Sequence, residues 1–366
     1  MVQFRTIGRR QCMRSMLAAG ALSLTGCESL IRAVAETCPE DPAESGGVDW
    51  TPDVLHPVFY GFQDLGPADG APATLRIWYP TYEGFTDGPP ILKMCVIRWP
   101  VVLFLHGQPP CPDVNYYRRW AMLPAVLARS GYVVVVPSHT AIFPAEAESP
   151  AVQNALEALD WVRGGWEHSR WVDSQAEATA VAGHSYGALL AARVAQARPA
   201  IAAYVGLSGP WLEFSSPLPV LQAIGAPSFF MWGTGDPIGS AFESLDGGGL
   251  WDQVPSPKHA GVFPGEHFDY LRPWAGCNFS RGSCTLIEAV AAELAALFIA
   301  RHAPVNISSS QIPLTLEPPD VVLTQAQQFF AGGHLSGLSQ FETQAGCSLG
   351  LRWVDGATSG QRELGP

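Results

Sequence analysis

Charge is scarce in this chain, and positive charge scarcer still. Only 15% of the 366 residues are charged, and the formal charge is −12. A protein of that balance repels a phosphate backbone, so nucleic acid is not an expected partner. No internal repeat with a period of roughly 20–50 residues is visible, which removes solenoids and propellers. No low-complexity tract appears either. There is no C-x-x-C pair and the nine histidines do not cluster, so a zinc site is not expected. Neither a metal nor an organic cofactor is expected.

What is present is ample apolar material. Apolar residues make up 47% of the chain, enough for a sizeable core, and 32 prolines with 37 glycines imply many ordered loops. The first residues read as a targeting segment. Arg5, Arg9, Arg10 and Arg14 form a positive region, and Met16 to Leu24 is an apolar stretch too short to span a bilayer. Leu24-Thr25-Gly26-Cys27 then matches a bacterial lipobox, so residues 1–26 are expected to be removed and Cys27 lipidated. The expected product is an exported monomer, anchored to the membrane through Cys27 or, if the leader is an ordinary cleaved signal, periplasmic or extracellular. Residues 27–53 read as a linker, rich in Pro, Gly and acids from residue 39 onward.

Cys12 and Cys27 belong to that leader. Cys38, Cys95, Cys111, Cys277, Cys284 and Cys347 remain, an even number in an exported chain, which reads as disulfides. Cys277 and Cys284 are near neighbours in a loop and are the first pair expected.

From residue 54 the pattern alternates. Strands fit Val54–Phe62, Thr74–Pro80, Ile97–Leu105, Tyr132–Pro137, Ala178–Ala182, Ile201–Leu207, Pro227–Trp232 and Ala260–Phe263. Helices fit Arg118–Ser130, Pro150–Arg163, Ala188–Ala197 and Thr285–Arg301. Near-continuous apolar strands, such as the valine run before Pro137, are buried on both faces. The fold class is therefore α/β, a mostly parallel doubly wound sheet over residues 54–302. Residues 303–366 are less regular and are expected to pack on the domain as an extension, with a helix over Thr324–Ala331.

Gly183-His184-Ser185-Tyr186-Gly187 is the central motif. A G-x-S-x-G run between a strand and a helix is the context of a nucleophile elbow. The serine is held on a sharp turn, and side chains at either glycine would collide with the neighbouring strand and helix. A serine hydroxyl is a weak nucleophile, so it needs a histidine base and an acid to orient that base. In this topology the acid follows the serine and the histidine follows the acid. Asp236, in the turn Gly233-Thr234-Gly235-Asp236-Pro237 after a strand, is the expected acid, with Glu213, Asp246 and Asp252 as alternatives. His267, in Pro264-Gly265-Glu266-His267 after the last strand, is the expected base. Two backbone N–H groups must bind the oxyanion. Tyr186 and Gln108 are expected to supply them, the latter from the loop His106-Gly107-Gln108. The His106 side chain is expected to bond within that loop.

These features together resemble the α/β-hydrolase superfamily over about residues 54–302. Leu105-His106-Gly107, the Gly183–Gly187 elbow, Gly233–Pro237 and Glu266-His267 carry the likeness. Leu75-Arg76-Ile77-Trp78-Tyr79-Pro80 is similar to the early strand of esterases related to platelet-activating-factor acetylhydrolase and dienelactone hydrolase. Pro210-Trp211 resembles the Pro-Trp of bacterial cutinases and polyester hydrolases, and that likeness implies that Trp211 lines the substrate cleft. The chain departs from them in having Tyr186 after the nucleophile and in its C-terminal extension. Only residues 208–226 separate two consecutive strands where many relatives insert a cap, so an open cleft walled by Trp211, Phe214 and Tyr186 is expected, suited to bulky or apolar esters. The expected function is an exported serine carboxylic-ester hydrolase. A non-catalytic binding module and an amidase or peptidase are the alternatives.

Overall fold

The structure is a computed structural model. It describes residues 47–50, 59–81, 91, 98–139, 148–211, 218–238, 251, 254–255, 257–281, 287–303, 305–308, 352–355 and 361–363. Cys27, Cys284, Glu213, Phe214, Asp246, Asp252, the leader and the helix expected over 324–331 lie outside them.

The strands are β1 (Gly47–Trp50), β2 (Phe59–Leu65), β3 (Leu75–Thr81), β4 (Val101–Leu105), β5 (Val133–Pro137), β6 (Thr179–His184), β7 (Ala203–Leu207), β8 (Ser228–Gly233), β9 (Lys258–Phe263), β10 (Val305–Ser308), β11 (Arg352–Asp355) and β12 (Gln361–Glu363). The helices are α1 (Met122–Arg129), α2 (Glu148–Gly164), α3 (Tyr186–Ala197), α4 (Leu218–Gln222) and α5 (Ile287–His302).

Ten strands form one sheet in the order β12-β11-β9-β8-β7-β6-β4-β5-β3-β2. From β5 to β9 all neighbours are parallel, while β2, β3, β11 and β12 pair antiparallel at the two edges. Every residue of β4 through β9 is buried, as expected for apolar runs such as Val-Val-Leu-Phe-Leu covered on both faces. α1 packs against α5; α2 packs against α3, which also touches α4. This is the mostly parallel α/β sheet anticipated from the alternation of strands and helices, and the α/β-hydrolase fold that the resemblance implied.

Three local differences have plain causes. The helix expected over 118–130 is broken. A 3-10 turn covers Tyr116–Arg119, and α1 starts only at Met122. Pro124 is the reason, because it has no N–H to donate to the Trp120 carbonyl and its ring would collide with it. The linker contributes a strand, since β1 pairs antiparallel with β10 as a separate two-stranded sheet. Part of the C-terminal extension joins the main sheet: β11 hydrogen-bonds along β9 and β12 along β11, so residues 352–355 and 361–363 widen it. Those strands lie beyond β9, at the edge, and not over Ser185.

Register decides where chemistry can gather. Leu105 pairs with Gly183, His184 with Leu207, Leu207 with Met231 and Gly233 with Phe263. The C-terminal ends of β4, β6, β7, β8 and β9 therefore finish level, and the loops that leave them share one rim.

Candidate active site

Ser185 stands between β6 and α3 with φ 54° and ψ −129°. A non-glycine residue at positive φ is strained, and such strain persists only where the surroundings impose it. Here the glycines impose it. A methyl group at Gly183 would lie 2.1 Å from the Gly187 carbonyl oxygen, and one at Gly187 would lie 2.0 Å from the Leu105 carbonyl oxygen. Neither position tolerates a side chain, so the helix can start hard against the strands. The Ser185 N–H donates to the Leu207 carbonyl at 2.8 Å, which ties the turn to β7.

Asp236 and His267 are brought together by lacing of two loops. The Thr234 N–H donates to the Phe263 carbonyl and the Gly235 N–H to the Gly265 carbonyl, at 2.8 and 2.9 Å. Gly233 is in contact with Gly265, where a methyl would come within 2.1 Å of the carbonyl oxygen. The Asp236 carboxylate is fully buried. Its Oδ1 accepts the Ile238 N–H at 2.9 Å and the His267 Nδ1–H at 3.0 Å. His267 Nε2 then lies 2.9 Å from Ser185 Oγ and is placed to accept its proton. With Nδ1 committed to the carboxylate, Nε2 carries the lone pair, which is the tautomer a base needs.

His267 is also held from behind. The buried Asp269 accepts the Glu266 N–H at 2.7 Å and lies 3.7 Å from the Arg281 guanidinium. His184, fully buried, donates its Nε2–H to the His267 backbone carbonyl at 2.8 Å. Burial, reinforced by the neighbouring His267, lowers His184 to about 3, so it is neutral and serves as a hydrogen-bond donor. Ser208, at the end of β7 with φ 48°, donates its hydroxyl to Tyr270 Oη at 3.2 Å beneath the same loop.

The loop after β4 closes the site on the other side. A methyl at Gly107 would lie 2.7 Å from Ser185 Cβ and 2.9 Å from the His184 carbonyl oxygen, so only glycine lets this backbone approach the serine. Among the described residues the Gln108 amide donates to no acceptor. Tyr186 opens α3, and the first N–H groups of a helix point outward along its axis, where the helix dipole favours negative charge. The His106 imidazole bonds within its loop, Nδ1–H to the Gly107 carbonyl at 2.8 Å, as expected.

Two expectations are corrected. Cys277 pairs with Cys111, with Cα atoms 5.8 Å apart, and not with Cys284. Nearness in sequence misled, because the rim brings the loops after β4 and β9 together across the sheet. Trp211 is 1% exposed and packs edge-on to Phe230, so its indole is core and no cleft wall. Tyr186 is likewise buried, at 2% exposure. The apolar surface beside His267 comes instead from the partly buried Phe268, Trp274 and Phe279, whose rings contact one another in series. The sequence reading passed over all three, along with His139, Asp269 and Tyr270. None sits in a motif, and the only available signal was the aromatic content just after His267.

Residues 94–209 match the model of the Chlorophyllase family, an esterase family of the α/β-hydrolase type. The matched span runs from before β4 past the elbow to the loop after β7. No curated protein matches the chain.

Proposed function

We propose that this α/β-hydrolase, with its esterase-type family match, is a serine carboxylic-ester hydrolase working through an acyl-enzyme on Ser185. The single observation that supports this most is the unbroken chain from Ser185 Oγ to His267 Nε2 at 2.9 Å and from His267 Nδ1 to Asp236 Oδ1 at 3.0 Å, on a strained elbow. In this reading Ser185 attacks the ester carbonyl while His267 takes its proton. Asp236, buried and bonded to His267 Nδ1, stabilises the resulting imidazolium. The Tyr186 and Gln108 amides bind the oxyanion, as donors oriented before the charge develops. His267 then protonates the departing alcohol, and a water molecule repeats the sequence on the acyl-enzyme.

The substrate class in this reading is a bulky or apolar ester. Two things favour it: the aromatic series Phe268, Trp274 and Phe279 beside His267, and the short connection between β7 and β8. The matched family is named for an enzyme acting on chlorophyll, itself a large apolar ester. The lipobox at Cys27 belongs to the same proposal and would hold the site at a membrane surface outside the cytoplasm.

The test is hydrolysis of p-nitrophenyl esters from acetyl to palmitoyl by the fragment lacking the leader. Wild-type turnover is expected to fall at least about 10³-fold in Ser185→Ala and in His267→Ala. Undiminished turnover in folded Ser185→Ala would overturn the assignment.

A further inference from the structure

His106 and His139 take no part in the proton relay proposed above, yet both stand beside the oxyanion loop. His106 follows β4 and His139 follows β5, which are neighbours in the sheet. Their rings stack face to face, with centroids 3.9 Å apart and planes 5° from parallel. Tyr116 covers His106 edge-on at 5.3 Å.

The two rings anchor two successive carbonyls. His139 donates its Nε2–H to the His106 carbonyl at 2.8 Å. His106 donates its Nδ1–H to the Gly107 carbonyl at 2.8 Å. The backbone N–H of His139 donates to His106 Nε2 at 3.4 Å, which holds His106 in the Nδ1–H form. This set requires a neutral His106, whose Nε2 accepts, and burial favours the neutral state for both rings.

The consequence lies one atom further on. In a planar trans peptide the C=O and the following N–H point in opposite directions. Pinning the Gly107 carbonyl therefore aims the Gln108 N–H. Glycine is otherwise the most mobile backbone residue, and Gly107 cannot be exchanged because it abuts Ser185. An oxyanion donor helps only if it is already oriented when charge develops.

We propose that His106 and His139 are positioning residues that preorganise the Gln108 amide for the oxyanion, with His139 acting through His106. The proposal rests on the acyl-transfer reading of Ser185. Neither ring touches substrate.

The experiment compares wild type with His106→Ala, His106→Asn, His139→Ala and His139→Gln, using steady-state kinetics on p-nitrophenyl butyrate and binding of a trifluoromethyl ketone, which forms an oxyanion on a serine. Asparagine carries an N–H donor near the place of Nδ1, and glutamine carries one near the place of Nε2. His106→Ala is expected to lower kcat by about 10–100-fold, less than outright loss of a donor, with KM within about threefold. The ketone should weaken by the same factor as kcat. His139→Ala should show a smaller loss of the same kind, and the two amide variants should recover most of it. Melting temperatures identify any variant that fails to fold, in which case its amide counterpart carries the test. Wild-type kcat and ketone affinity in folded alanine variants would overturn the proposal. So would losses that the amide variants do not reverse. Ser185→Ala separates the two readings. Activity remaining there sinks acyl transfer itself and this proposal with it; activity lost there, with unaffected His106 and His139 variants, sinks only the positioning role.

Discussion

The two loops that flank Ser185 are held in different ways. On the oxyanion side, residues 106–108 are fixed by the neutral rings of His106 and His139, each bonded to a main-chain carbonyl. On the acid–base side, residues 264–281 are fixed by backbone bonds to the Asp236 turn, by Asp269 with Arg281, by the His184 ring and by the Cys111–Cys277 disulfide. The first loop carries a main-chain amide, whose direction is set by anchoring its own peptide. The second carries the side chain that, in the proposed mechanism, accepts, holds and returns a proton, and the loop beneath it is fixed at several points. The disulfide also joins the two, since Cys111 lies just beyond Gln108. Arg119 and Tyr116 pack on Trp274 across the same seam.

Acid is the largest expected perturbation of this arrangement. Unfolded histidine titrates near 6.5. Burial lowers His106 to about 4 and His184 to about 3. Between those values the unfolded chain binds more protons than the folded one, so stability is full above pH 6.5 and falls as the pH drops toward 4. At about 1.4 kcal/mol per unit, the two rings together remove on the order of 5 kcal/mol by pH 4.5. Melting temperatures from pH 7.5 to 4.5 should trace this decline, and His106→Asn should flatten it. Equal slopes in the two proteins would mean that His106 is not an acid-sensitive anchor.

Opening the disulfide is the next largest. It spans 166 residues of sequence, and its loss should cost roughly 2–5 kcal/mol. Cys111→Ser with Cys277→Ser, followed by calorimetry, measures this. Turnover should fall further than stability alone explains at 25 °C, because both flanking loops lose their shared tie. A double variant with the wild-type melting temperature would show that the seam is held by Trp274 and its neighbours instead.

The smallest effect separates core from cleft. Trp211→Phe should lower stability by about 1 kcal/mol, as most core changes do, while KM for apolar esters stays put. Phe268→Ala should do the reverse and raise KM for the longer acyl chains. A raised KM in Trp211→Phe would restore the indole to the cleft and break the comparison of buried with partly buried aromatics.

Much of this was readable from pattern. Runs such as Val133–Pro137 and Val101–Leu105 are too apolar to be anything but doubly covered strands, and the order serine, acid, histidine follows the order of strands that end at one rim. Ser185, Asp236 and His267 could thus be named from spacing, and the structure brings them within hydrogen-bond reach. His139, Asp269 and Tyr270 could not. Each is an ordinary residue after a strand or in a loop; the partners of His139 and Tyr270 lie on another strand's loop, and Asp269 meets Arg281 only when its own loop folds back. The Cys111–Cys277 pair belongs with them, and so does the strand Arg352–Asp355, whose four residues are too few to show a period and which pairs along the edge that β9 offers.

Taken alone, the sequence determined the kind of most central elements and the residues proposed for acyl chemistry, because both depend on local periodicity, turn chemistry and motif spacing. The tertiary structure decided which loops meet at the rim, which aromatics are core and which border the site, and which polar groups hold the reacting ones. Those outcomes depend on register between strands distant in sequence. The free energy of such long-range contacts appears only once the sheet has formed.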